Sequence, residues 1–283
     1  MDAVTAPLCV LGRDIQVYRT DAVRGRLRYA LFDFDGTLSL IRAGWQQVML
    51  DQCVDALRRT PNAESAEELR RVCREFIARL TGEQTIYQMI QLAEEVARRG
   101  GTPLQPAEYK RQYLEALHCG IVHRLDALRG GRDPAARYLV RGALGLLDGL
   151  RQRGTVCYLA SGTDEEFVQE EARLLGLHPY FGERIYGARE DYRSFSKLIL
   201  MQRLMREEGL AGQELVVFGD GYVEIENGKQ VGGLAVGAAT SEDGSGAWDE
   251  WKRGRLLEVG ADVLVPHWEE AGRLLAYLFA EDD

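Results

Sequence analysis

The spacing of apolar residues changes character along the chain, and each change predicts a different element. Residues 28–33, Arg-Tyr-Ala-Leu-Phe-Asp, hold an unbroken apolar run from Tyr29 to Phe32 that ends on an acid. That is the pattern of a short buried strand closing in a polar turn. Residues 14–19 predict an extra edge strand, and the rest of the first 27 carries no usable pattern. From Gly44 to Arg129 the rhythm is helical, with little β-branched clustering. Val48, Met49, Val54 and Leu57 make a first helical set; Leu69, Val72, Phe76, Ile77 and Leu80 a second; Ile86, Met89, Ile90, Leu92 and Val96 a third. Breakers fall between them at Thr60-Pro61-Asn62, Thr81-Gly82 and Gly100-Gly101-Thr102-Pro103, and a fourth helix is expected from Pro106 to Leu128.

Gly130-Gly131-Arg132-Asp133-Pro134 reads as a linker. Beyond it helices and strands alternate: a helix over 135–153, a strand over 155–160, a helix over 165–175, a strand over 184–186, a helix over 196–208 and a strand over 214–218. Two more strands follow at 233–237 and 261–265, and a last helix covers 268–279. Such alternation implies parallel crossovers and a sheet covered on both faces. The expected fold is therefore α/β, a Rossmann-like parallel sheet interrupted just after its first strand by an all-helical insertion.

Composition narrows the function classes. A chain of 283 residues can bury one large core or two modest ones. No apolar run approaches the roughly 20 residues a membrane helix needs, so no membrane partner is expected. The start of the chain, with Asp2, lacks the basic-then-apolar pattern of a signal peptide, which makes the cytoplasm the expected location. Cys9, Cys53, Cys73, Cys119 and Cys157 are scattered and odd in number, which argues against a disulfide framework or a thiolate zinc site. Only two of the four histidines, His118 and His123, lie near each other, without metal-ligand spacing.

A net charge of -9 argues against a nucleic-acid partner, which would need a basic face. It does not exclude small anions, because one cation and a metal can reverse the sign of a single pocket. Of 35 basic residues only Lys110, Lys197, Lys229 and Lys252 are lysine, so each is an exception in an arginine-rich chain.

In a parallel sheet, ligands bind at the carboxyl ends of the strands. Here those ends are polar: Asp33-Phe34-Asp35-Gly36-Thr37 after the first core strand, Ser161-Gly162-Thr163 after the second, and Gly219-Asp220-Gly221 after a later one. Asp33 and Asp35, two residues apart, point to the same side. One can attack an electrophile while the other handles the leaving-group proton. Gly36 permits a sharp turn and Thr37 offers a hydrogen-bond donor.

Phe32-Asp33-Phe34-Asp35-Gly36-Thr37-Leu38 resembles the first signature of the haloacid dehalogenase superfamily. Ser161 stands at its second signature, Lys197 at its third, and Gly219-Asp220-Gly221-Tyr222-Val223-Glu224 resembles its acidic fourth. The helical block resembles the cap that phosphoglycolate phosphatase and β-phosphoglucomutase relatives insert after strand one. The resemblance implies a core over 1–42 and 134–283, with 1–27 as an N-terminal extension, and a cap over 43–133.

It also implies roles. Asp33 would form an aspartyl-phosphate. Asp35 would be the general acid and then the base, and would offer its carbonyl to a metal. Ser161 and the Gly162 amide would hold the phosphoryl oxygens, with Thr37 donating alongside. Lys197 would offset the negative charge, and Asp33, Asp35, Asp220 and Glu224 would surround Mg²⁺. A hard, oxygen-only site suits that ion.

Asp35 stands where the haloalkanoate dehalogenases of this superfamily lack an aspartate, which favours phosphoryl transfer. Relatives usually carry aspartate at the position of Glu224, and its longer side chain is the main departure. No lysine occurs between Asp35 and Lys110, which speaks against the cap-lysine imine of phosphonoacetaldehyde hydrolases. Arg42, Trp45 and Gln46 are candidates to face the pocket, Arg42 for a second anionic group; Arg189 and Arg193 are similar candidates. The expected activity is a Mg²⁺-dependent phosphatase acting on a small phosphorylated metabolite, a sugar phosphate or phosphoglycolate-like acid, by a monomer or homodimer. The alternatives are a phosphomutase of the β-phosphoglucomutase type and a non-catalytic binding or regulatory protein.

Overall fold

The computed structural model describes residues 6–189, 191–193 and 195–281; the first five residues of the expected extension lie outside them. An eight-stranded sheet forms the centre. Its strands are β1 (Cys9–Leu11), β2 (Ile15–Val17), β3 (Tyr29–Phe32), β4 (Val156–Asp164), β5 (Ile185–Ala188), β6 (Leu215–Gly219), β7 (Leu234–Ala238) and β8 (Val263–Val265). They run in the order β1-β2-β8-β7-β6-β3-β4-β5. β3 to β8 are parallel, and the β1–β2 hairpin adds antiparallel to the free edge of β8. The edge strand expected at 14–19 is β2; β1 had no sequence signal, since its exposed Cys9 and Val10 alternate with nothing.

Alternation along β3 explains how two faces are covered. Ala30 and Phe32 join one buried cluster, whereas Tyr29 and Leu31 join another with Leu200, Met201 and Leu204. Phe32 stacks on Phe218, ring centroids 4.5 Å apart, and Phe218 meets Trp268 edge-on at 5.6 Å. These rings lock the centre of the sheet beneath the strand ends that carry the acids.

The insertion comprises α1 (Trp45–Arg58), α2 (Ala66–Arg79), α3 (Thr85–Arg98) and α4 (Pro106–Arg129). Their buried stripes, among them Met49, Cys53 and Leu57 on α1 and Leu69, Cys73 and Phe76 on α2, pack on one another as a helical cap. The core then continues through α5 (Ala143–Gln152), α6 (Glu165–Leu174), α7 (His178–Phe181), α8 (Lys197–Glu207), α9 (Tyr222–Gln230), α10 (Glu250–Glu258) and α11 (Ala271–Leu278).

The helix expected over 135–153 is broken. A single 3-10 turn over Ala135–Tyr138 is followed by an extended stretch, and α5 starts only after Gly142. Gly142 has φ 79°, and a Cβ there would overlap the Trp268 carbonyl. The close approach that seats Trp268 therefore interrupts the helix.

Candidate active site

The three polar strand ends meet beside β3, where the connections diverge to its two sides. Asp33 continues the sheet, its amide donating to the Phe218 carbonyl at 2.9 Å, and its side chain is buried. Lys197 is the first residue of α8, whose amino end is capped by the Ser196 hydroxyl accepting from the Ile199 amide at 3.1 Å. This start aims the ammonium at Asp33 Oδ1, 2.5 Å away, and at Glu224 Oε2, 3.0 Å away. Glu224 lies in the first turn of α9, where its Oε1 accepts from the Gly221 amide at 2.7 Å and so satisfies an otherwise orphaned helix donor.

Asp220 follows β6 and is also buried. Its Oδ2 accepts from Lys252 Nζ at 2.7 Å, and the same ammonium donates to Glu242 at 2.8 Å. Asp35 Oδ2 accepts from the Thr163 hydroxyl at 2.9 Å, while its buried Oδ1 has no partner among the described residues. β4 pairs irregularly with β5 between Ala160 and Asp164, and this bulge carries Ser161, Gly162 and Thr163. The Ser161 hydroxyl accepts from the Thr163 amide at 3.0 Å. A Cβ on Gly162 would overlap the Glu83 carbonyl, so only glycine lets the α2–α3 turn seat itself against β4.

Burial dominates the electrostatics. It pushes the Asp33 carboxyl well above the usual range, with Lys197 opposing and Glu224 and Asp220 adding to the rise. Burial lifts Asp220 to about 6 against the pull of Lys252, and lifts Asp35 to about 7 against Arg42 and the Thr163 hydrogen bond. For Lys197 and Lys252, burial favours the neutral amine, but their carboxylate partners outweigh it and hold both above the ordinary lysine value. The result is a crowd of buried acids with two resident ammoniums.

Carboxylate oxygens of Asp33, Asp220 and Glu224 lie within 4.8 Å of one another. An all-oxygen, buried and over-acidic cluster fits a hard divalent cation such as Mg²⁺. The Asp35 carboxylate is outside that group, turned toward Thr163.

Asp33, Asp35, Ser161, Gly162 and Asp220 line a cavity of about 70 Å³, roofed by Trp45, Met49, Glu83, Gln88 and Tyr113. Arg42 lines it too, but its guanidinium is held by Glu171, Nη2 to Oε1 at 2.7 Å. Thr37 is fully buried and does not line the cavity; its carbonyl accepts from Trp268 Nε1 at 2.7 Å. Gln46 instead donates to Glu242 at 2.9 Å, Arg189 pairs with Glu165 at 3.2 Å, and Arg193 lies over the Tyr192 ring. Sequence reasoning assigned no role to Lys252, Glu242, Glu171, Thr163 or Glu83. Thr163 stood at a polar strand end and Lys252 was one of four lysines, whereas the three glutamates left no trace.

Fold and site together define an α/β protein with an acidic, lysine-bearing centre at the carboxyl edge of a parallel sheet, covered by helices. The chain belongs to the haloacid dehalogenase-like hydrolases, whose family model matches residues 27–232. Among solved structures it is similar to a conserved haloacid dehalogenase-like protein from Agrobacterium tumefaciens, with 20% identity and a TM-score of 0.58 over 89% of this chain and 98% of that one. A predicted phosphoglycolate phosphatase from Haemophilus somnus matches with 13% identity and a TM-score of 0.57 over 88% and 98%. A β-phosphoglucomutase from Clostridium difficile matches with 10% identity and a TM-score of 0.57 over 90% and 98%. At these identities the likeness concerns the fold alone. No curated protein sequence matches the chain. Among the described residues, no helix is long and apolar enough to cross a membrane.

Proposed function

We propose that the protein is a Mg²⁺-dependent phosphomonoesterase acting on a small phosphorylated metabolite, with Asp33 as nucleophile. The observation that carries this reading is the Asp33–Lys197 contact of 2.5 Å beneath a cavity that Asp33, Asp35 and Ser161 line. With Oδ1 held by the ammonium, Oδ2 is the oxygen left to attack phosphorus. As the P–O bond to the leaving group breaks, a protonated Asp35 gives its proton to the departing oxygen. The Asp35 carboxylate then takes a proton from water, whose oxygen attacks the aspartyl-phosphate, releasing inorganic phosphate and restoring Asp33.

A carboxyl titrating near 7 suits both halves of that cycle. Ser161 and the Gly162 amide orient the phosphoryl oxygens, and Lys197 offsets the charge of nucleophile and phosphoryl group. Lys252 steadies Asp220, while Glu224 steadies Lys197. Asp33, Asp220, Glu224 and the Asp35 carbonyl would hold Mg²⁺, which when bound neutralises the phosphoryl charge that would otherwise repel the acids. The helices α1, α3 and α4 and the α2–α3 turn roof this cavity and narrow the access of bulk water to it.

Phosphate release from a panel of phosphorylated metabolites tests the reading. Turnover should require Mg²⁺, disappear with EDTA, and fall at least about a thousandfold in Asp33→Asn. Equal release by wild type and variant would overturn it.

A further inference from the structure

The cavity over Asp33 has two unlike walls. The floor presents Asp33, Asp35 and Asp220, with the Lys197 ammonium bound to Asp33. The wall supplied by the helices presents Glu83 from the α2–α3 turn, Gln88 from α3 and Tyr113 from α4. Gln88 is only 3% exposed and Tyr113 only 4%. Neither of these polar groups, nor the Glu83 carboxylate, has a hydrogen-bond or ion-pair partner among the described residues. Glu83 is half-buried, and the polar ends of all three side chains open on the cavity rather than being sealed in protein, so they are free to pair with an occupant.

Charge narrows what that occupant is. Arg42 is neutralised by Glu171, and Lys197 by Asp33 and Glu224. Lys110 is bound to Asp164, another lining residue, at 2.5 Å. The wall therefore offers no uncommitted cation among the described residues, while Glu83 offers an uncommitted anion. Burial raises the Glu83 carboxyl above its ordinary value, with Lys197 opposing, as expected for a carboxylate whose counter-charge is too distant. A second anionic group on a ligand would meet repulsion here without compensation.

We propose that this wall selects a short phosphomonoester whose leaving group carries hydrogen-bond donors, hydroxyl or ammonium, and no second anionic group. Glu83 accepts from the donor, and Gln88 and Tyr113 complete the contact. The assignment rests on the phosphomonoesterase reading and narrows it: the wall suits polyol-like or amino-alcohol phosphates and disfavours a phosphoglycolate-like acid.

The test compares kcat/KM of the Mg²⁺-loaded full chain on glycerol phosphate, phosphoethanolamine, phosphoglycolate and p-nitrophenyl phosphate. Glycerol phosphate or phosphoethanolamine should exceed phosphoglycolate at least about tenfold, and whichever leads distinguishes hydroxyl from ammonium. In Glu83→Gln that ratio should narrow about tenfold or more, the loss of one charge-assisted contact, mainly through KM. Phosphoglycolate turned over as well as or better than both donor substrates would overturn the proposal without recourse to any variant. An unchanged ratio in Glu83→Gln would overturn the role of Glu83. Turnover of p-nitrophenyl phosphate alone would leave the phosphomonoesterase reading standing and overturn the selection. Release from none of the four would overturn both.

Discussion

Replacing Glu171 by glutamine keeps the side chain's shape and removes the charge that Arg42 depends on. The two side chains are 8% and 3% exposed, so water contributes little to solvating either. Arg42 donates through Nε at 3.0 and 3.2 Å to the two carboxylate oxygens and through Nη2 at 2.7 Å. It also lies 5.4 Å from the centre of the Phe167 ring, which holds the guanidinium in place. An exposed pair of this kind would be worth about 0–1 kcal/mol, but taking one partner from a buried pair leaves an uncompensated charge and costs about 3–5 kcal/mol. Against a typical stability of about 5–15 kcal/mol, that loss is large. Urea unfolding followed by circular dichroism should show the midpoint of Glu171→Gln falling accordingly with the slope unchanged. The double variant Arg42→Met with Glu171→Leu should recover most of the loss, because no charge is then buried. A loss below about 1 kcal/mol in the single variant would refute the reasoning, since it would mean that the guanidinium reaches water or another anion.

Two further variants probe how the site is positioned. Ser196→Ala removes the amino-end cap of α8 and should cost about 1 kcal/mol in urea unfolding; turnover should fall further than this, because Lys197 begins that helix. No change in either quantity would mean that the cap does not set the lysine. Gly162→Ala forces a methyl against the Glu83 carbonyl and should cost about 1–3 kcal/mol by overpacking. Its kcat/KM should drop for every substrate, and wild-type rates would show that the α2–α3 turn does not rest on β4 during turnover.

Elements with a strong period were readable from sequence. The unbroken run at β3 and the helical spacing of α1 to α4 needed no tertiary information. Three helices left little trace: the single turn α7, and the longer α9 and α10. α9 interleaves Val223 and Ile225 with acids, and Gly228 packs against Val217, so its pattern resembles neither an amphipathic helix nor a strand. α10 buries Lys252 where an apolar residue would be expected, because Asp220 and Glu242 wait for it there. The break before α5 was invisible for a similar reason: it depends on Trp268, more than a hundred residues away.

Site residues divided the same way. Asp33, Asp35, Ser161, Lys197, Asp220 and Glu224 sit at strand ends or helix starts, where short motifs mark them, and the fold brings these six together. Glu171, Glu242 and Glu83 are ordinary glutamates in sequence, distinguished only by what the fold sets opposite them. Arg42 shows the converse. A cation near the first motif suggested an anion receptor, yet its partner was already present on α6.

The central claim is that Asp33 carries the phosphoryl group. The most direct measurement is a rapid acid quench of the Mg²⁺-loaded protein with radiolabelled p-nitrophenyl phosphate, whose leaving group departs without a proton from Asp35, followed by peptide mapping, in wild type and in Asp35→Asn. Loss of the Asp35 base should slow release of the intermediate, so label should accumulate on the peptide containing Asp33 at close to one per chain and be absent from Asp33→Asn. Label on another residue, or phosphate release with no protein-bound label in Asp35→Asn, would contradict the account.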